Sequence, residues 1–194
     1  MNLKKLFETQ KVLRDRINYQ GEDRFEKLIL ALLVELGELC QEWRGFKFWS
    51  KDQEPRKVIT VCSCCGNKLR DNDESCASCE YVGAHNEPVK KYPLLEEYVD
   101  GLHFVLEIGL EHGVDELIEV LAIDDLKLSS ITKQFTLLFQ TDWDVYEEGN
   151  GGYYHEGLEL YIGLGEMLGF TWEEIEAAYF EKNKINHVRQ DTGY

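Results

Sequence analysis

Leu28 to Trp49 reads LILALLVELGELCQEWRGFKFW, and its pattern predicts one long helix with an apolar stripe through Leu28, Leu32, Leu36 and Leu39. Glu35, Glu38 and Glu42 stand in the same stretch. At about 100° per residue they project within an arc of about 60° that borders the stripe. Ionised carboxylates beside a core face are costly to bury unless a cation or donor meets them. A second pair, Glu97 and Asp100, again three apart, lies in Leu94 to Gly109, LLEEYVDGLHFVLEIG, among Leu94, Val99, Leu102, Val105 and Leu106. Two helices that each offer acids at i and i+3 can surround a divalent cation with hard oxygen ligands. A solvated acidic face is the plainer reading in so acidic a chain. The apolar context on both helices speaks for a metal site.

With 194 residues the chain can bury one sizeable core, or one core and a small appendage. Its formal charge of −16 would be repelled by a nucleic-acid backbone, so no nucleic-acid polymer is expected as partner. Anionic small molecules remain open, because Mg²⁺ can carry the positive charge for them. No run approaches the ~18 apolar residues of a membrane helix, and the first residues lack a signal-peptide pattern. The expectation is a cytoplasmic protein with no membrane association.

Past Trp49 the composition turns polar, and residues 51–92 read as an insert that carries five of the six cysteines. Cys62 with Cys65, and Cys76 with Cys79, form two Cys-x-x-Cys knuckles separated by ten residues. That spacing offers a tetrahedral four-thiolate site, for which Zn²⁺ is the usual occupant. Cys64 can replace a neighbour as ligand or stay a free thiol. A disulfide framework is weak without an export signal, and a redox pair is weaker without a strand–helix context. The expected role is structural, the metal holding together a segment too small for its own core. Such an insert also offers a surface for a protein partner.

The remaining chain reads as helices. Residues 2–19 carry Leu3, Leu6, Leu13 and Ile17 on one side, with Gln10 in the stripe. A buried amide suits the edge of a nucleobase, although a core glutamine bonded to its neighbours is the commoner outcome. Further helices are expected over 94–112 behind Pro93, over 115–122 and 126–140, and over 153–168 despite Gly157, Gly163 and Gly165. Residues 142–152 are a loop by composition. A capping box, Thr171 with Glu174, opens a last helix to about Asn186. The fold class is therefore all-α, a helical bundle formed by residues 1–50 and 93–194 with a small zinc-binding insert held by four cysteines. The tail concentrates Lys182, Lys184 and Arg189, and Arg44 and Lys47 follow the acidic triplet. Cations near a metal site suit a polyphosphate, while cations at helix ends also answer the helix dipole.

Several of these motifs together resemble the dimeric dUTPase family of the all-α, MazG-like nucleoside-triphosphate pyrophosphatases. The resemblance rests on Glu35-x-x-Glu38, Glu42-Trp43-Arg44-x-Phe46-Lys47-x-Trp49, Glu97-x-x-Asp100-x-Leu102-His103-Phe104 and the Lys182–Tyr194 tail. It implies an all-α homodimer that hydrolyses dUTP, and dUDP, to dUMP with Mg²⁺. By matching position, Glu35, Glu38, Glu97 and Asp100 would hold the metal, with Glu35 or Glu38 orienting a water. Gln10, Trp49, His103 and Phe104 would line the base and sugar pocket. Lys47, Lys182, Asn183, Asn186 and Arg189 would meet the nucleotide, with Tyr194 closing over it. The cysteine-bearing insert is longer than the family's usual connection at that point. Two other readings remain open: a sibling enzyme acting on dCTP or a modified deoxynucleotide, and a zinc-ribbon adaptor without catalysis.

Overall fold

A computed structural model describes residues 2–70, 76, 79, 88–145 and 152–193. Among the described residues seven helices run in order as α1 (Leu3–Ile17), α2 (Arg24–Trp43), α3 (Pro93–Glu111), α4 (Val114–Leu117), α5 (Ile131–Gln140), α6 (Gly152–Leu168) and α7 (Trp172–Thr192). Between α2 and α3 lies one antiparallel ribbon, β1 (Ile59–Cys62) with β2 (Pro88–Lys91), in the register Ile59↔Lys91 to Cys62↔Pro88. The all-α class expected from sequence is what forms; the ribbon is an addition to it.

α3 is the axis of the bundle, packed against α1, α2, α6 and α7. Leu94, Tyr98, Val99, Leu102, Val105, Leu106 and Ile108 are buried along it, and Leu32, Leu36, Leu39 and Trp43 meet them from α2. The crossing of α3 and α6 is closed by a reciprocal pair of tyrosines. Tyr98 Oη donates to the Tyr161 carbonyl at 3.1 Å and Tyr161 Oη to the Tyr98 carbonyl at 2.7 Å. Glycine makes this approach possible, since a Cβ at Gly101 would lie 2.3 Å from Tyr161 Oη and one at Gly165 2.6 Å from Tyr98 Oη. The glycines that weaken α6 as a sequence pattern thus serve its packing.

Several helix limits differ from the sequence expectation, each for a visible reason. α2 stops at Trp43 rather than reaching Trp49: Arg44 takes a left-handed φ of 65° and its N–H closes on the Cys40 carbonyl. Gly45 then folds beneath the Trp43 ring, where a Cβ would sit 2.4 Å from the indole. α5 starts at Ile131, capped by Ser130, because Gln134 ties 126–128 outside the helix through bonds to Leu126 and Leu128. α4 is a single turn. α7 runs past Asn186 to Thr192, where Gly193 (φ 71°) ends it. Its capping box forms as expected, with Thr171 and Glu174 bonding each other's backbone N–H.

Candidate active site

α2 and α3 turn their acids toward one another. Glu35, Glu97 and Asp100 each bring a carboxylate oxygen within 4.8 Å of the other two. Glu38 stands one turn along α2, exposed, yet near enough for its charge to raise the pKa of both Glu35 and Glu97. Burial is the larger cause for both residues, followed by the charge of Asp100, and each is lifted to about 7. Lys182 pulls the other way, its ammonium donating to Asp100 from α7. Glu42, the third acid of the α2 triplet, faces Arg56 at 3.8 Å instead. Converging carboxylates repel unless protonated or neutralised by a cation, and their hard oxygen donors suit a divalent ion. The residues present fit such an ion.

One helical turn beyond Asp100 the same face of α3 reaches a cavity of about 400 Å³, lined by Gln10, Leu13, Leu28, Ala31, His103, Phe104, Glu107 and Asn186 among others. That volume and its mainly apolar lining suit a small organic ligand. Its polar wall is a connected network. Gln10 Nε2 donates to Glu107 at 2.8 Å, and Gln10 Oε1 lies 2.7 Å from both His103 Nδ1 and Tyr179 Oη. Arg24 donates to Glu107 at 3.0 Å. Burial, with Lys182 adding to it, pushes the His103 pKa down to about 3, so the ring is neutral. Two buried polar atoms here have no partner: His103 Nε2 and Asn183 Nδ2. On the other side of α7, a second groove holds Lys91, Tyr92, Lys182 and Arg189.

The insert carries its own cluster. The Sγ atoms of Cys62, Cys65, Cys76 and Cys79 all lie within 4.8 Å of one another. Cys62–Cys79 and Cys65–Cys76 are 3.5 and 3.6 Å apart, much longer than the ~2.05 Å of a disulfide. They approach the ~3.8 Å edge of a tetrahedron with ~2.3 Å metal–sulfur bonds. The backbone N–H of Cys65, helped by that of Cys64, pulls the Cys62 thiol down to about 7. Gly66, at φ 72°, lets the chain turn beneath that sulfur. The four cysteines fit a thiophilic metal, zinc among them. Cys64 is exposed and outside the cluster.

The profile of the dUTPase family matches residues 2–61 and 84–194. The chain belongs to the dUTPase family. It is accordingly a dUTP diphosphatase, a hydrolase acting on a nucleoside triphosphate. The matched residues include both acid pairs, the cavity and α7; the unmatched 62–83 contain all five cysteines of the insert. No curated protein matches the chain.

In this dUTPase the residues expected from sequence fall into distinct groups. Three of the four acids converge directly, and Gln10, His103, Phe104 and Asn186 line one cavity. Gln10 is buried, but both ends of its amide are already engaged by protein. Lys182 and Arg189 border the second groove, and Asn183 is buried on α7. Lys47 and Trp49 are not brought to the cavity. Trp49 is 65% exposed and rests on Phe46 and Phe48, while the Lys47 ammonium lies over Phe46 at 5.5 Å. Both belong to the turn that replaces the expected end of α2. Tyr194 lies outside the described residues. Sequence reasoning passed over Glu107, Tyr179 and Arg24. The available signal was Glu107 itself, one acid inside the apolar run VLEIG.

Proposed function

We propose that this dUTPase hydrolyses dUTP, and dUDP, to dUMP by water attack at the α-phosphorus, with Mg²⁺ held by Glu35, Glu38, Glu97 and Asp100. The convergence of Glu35, Glu97 and Asp100 carries the reading. When bound, the ion would polarise the phosphate oxygens and offset their charge. The chain's own groups supply the rest. Glu38 stands outside the three converging oxygens and reaches solvent, which favours it over Glu35 as the carboxylate that orients the water and takes its proton. The new bond joins water oxygen to the α-phosphorus. The bond to the bridging oxygen breaks, and pyrophosphate leaves from dUTP, or phosphate from dUDP. Lys182, released from Asp100, and Arg189 would meet the charge developing on the leaving oxygens. The 400 Å³ cavity one turn along α3 would take the nucleoside.

Zn²⁺ in the four-cysteine cluster would fix the insert, leaving its outer surface to a protein partner. Leu30 and Val34, four apart on α2 and at least half exposed, give two copies of the chain an apolar strip to share, which favours a homodimer. Free thiols suit a reducing, cytoplasmic setting, and among the described residues no helix is long and apolar enough to cross a membrane. The test is a panel of dUTP, dUDP and dCTP assayed with and without Mg²⁺, on the wild type and on Glu38→Gln. The expected result is Mg²⁺-dependent release of dUMP that the variant loses while keeping its helical content. Faster turnover of dCTP, or a Glu38→Gln variant of near-wild-type activity, would overturn the assignment.

A further inference from the structure

Lys182 stands between the acid cluster and the groove behind α7. From α7 its ammonium donates to Asp100 Oδ2 on α3. Each side chain of the pair is 21% exposed, so the contact is shielded from bulk water yet reachable from it. The charge is felt past Asp100: burial and the neighbouring acids push the pKa of Glu35 and Glu97 up, and Lys182 pulls both down. The ammonium is therefore a counter-ion for the same three carboxylates whose oxygens lie within 4.8 Å of one another. It is also a poor companion for a divalent cation there. Two positive centres would share one carboxylate, at a separation where like charges repel strongly in a half-buried site. The long lysine stem has somewhere to go. On its other side a groove of about 470 Å³ holds Glu96 and Glu181 in the same lining as Lys182, so the ammonium can leave Asp100 without being stranded.

We propose that Lys182 is a built-in competitor of the divalent cation: its ammonium neutralises Asp100 while the cluster is ion-free, and gives that carboxylate up when the ion binds. The inference rests on the acid cluster being the divalent-ion site of the proposed function. A nucleotide changes the balance, because its phosphate oxygens offer the freed ammonium a new anionic partner. Cation and nucleotide then each loosen the contact that opposes the other, and by linkage the effect is reciprocal. Lys182 thus holds down the affinity for a cation that arrives alone and restores it when a nucleotide is present. Two plainer roles predict otherwise. A mere anchor of α7 on α3 would leave cation affinity alone. A supporting hydrogen bond to a metal-bound carboxylate would raise it, as outer partners of metal ligands do.

Titration of the full-length protein with Mn²⁺, followed by the electron paramagnetic resonance of the free ion, reads this competition without substrate or turnover. Lys182→Met should bind Mn²⁺ roughly tenfold more tightly than the wild type, an ordinary coupling between neighbouring sites. Lys182→Arg, which keeps the charge, should stay near the wild type; an arginine variant as tight as the methionine one overturns the inference. So does Lys182→Met with unchanged affinity, which would make Lys182 an anchor, or with weaker affinity, which would make it a supporting partner. A second arm measures the non-hydrolysable α,β-imido-dUTP with and without Mn²⁺. The bonds between ion and phosphate are common to both proteins, so they cancel when the two gains in affinity are compared. The gain should be roughly tenfold larger in the wild type than in Lys182→Met, and equal gains overturn the inference. Glu97→Gln tells the two possible failures apart. If it binds Mn²⁺ as the wild type does, the acid cluster is not the ion site and the proposed function falls as well. If it loses Mn²⁺ while Lys182→Met gains nothing, only the competition is refuted.

Discussion

The acid cluster gathers three ligand-type side chains and the cysteine cluster four, and different forces hold them. Glu35, Glu97 and Asp100 are brought together by the packing of α2 on α3, over leucines that are fully buried. The cysteines gather at a ribbon of two four-residue strands, with Cys62 on β1, and the core there, among the described residues, is only Cys62, Leu69 and Cys76, with Cys79 against it. So little apolar surface cannot fix a chain segment by itself. The first site is made by the packing of the helices; at the second, a bound metal would make the local fold. One lies in the residues that match the family, the other in those that do not.

Three measurements probe that contrast. The largest effect is expected from Glu97→Gln or Asp100→Asn, which should reduce kcat/KM by about 10³-fold or more while leaving circular dichroism and melting behaviour close to wild type. An unfolded variant would mean that the acids shape the bundle after all. Next comes pH. Glu35 and Glu97 start from 4.5 in the unfolded chain and are raised to about 7 in the fold. Between those values the ion-free folded state binds the extra protons. Their contribution to stability is complete below about 4.5 and is lost as pH rises through 7. Mg²⁺ would have to displace the same two protons, so its affinity, followed by calorimetry, should fall by up to about a hundredfold per pH unit below 7, about tenfold for each carboxyl. An affinity indifferent to pH would refute the raised values. The smallest effect on turnover should follow removal of zinc by a thiophilic chelator. Amide protection in β1 and β2 should vanish, the helices should persist, and kcat should change less than about threefold. Collapse of the helical signal would make the insert part of the catalytic core.

The sequence made some of this legible and hid the rest for physical reasons. Apolar residues at helical spacing reveal α2 and α3, because each buries one continuous face; the acids on those faces followed from the same pattern. Cys-x-x-Cys spacing is equally local. The end of α2 was not readable, since Leu28–Trp49 keeps its helical look until Gly45 folds under the Trp43 ring, a tertiary contact. α7 hid its last turns for the opposite reason. Its tail has no apolar stripe, and its far end is met from the side by Arg16, which pairs with Asp191 and reaches His187 at 3.0 Å. Glu107 is the clearest loss. It looks like a misplaced charge until Gln10, 97 residues earlier, is seen beside it. Ile59–Cys62 is too short for alternation to register.

The ribbon also explains how an extra segment can sit between the two acid-bearing helices without disturbing them. Its two strands enter and leave side by side, and the Arg56 carbonyl receives the Leu94 N–H at 3.2 Å just below. The feet of the connection are thereby clamped at a constant separation, so the bundle is blind to how much chain loops out beyond Cys62 and Pro88. Each doubling of such a loop adds only about 0.6 kcal/mol of closure entropy. The stem works as a socket: with its two feet held together, a cysteine-bearing cartridge would be accommodated there without moving the carboxylates.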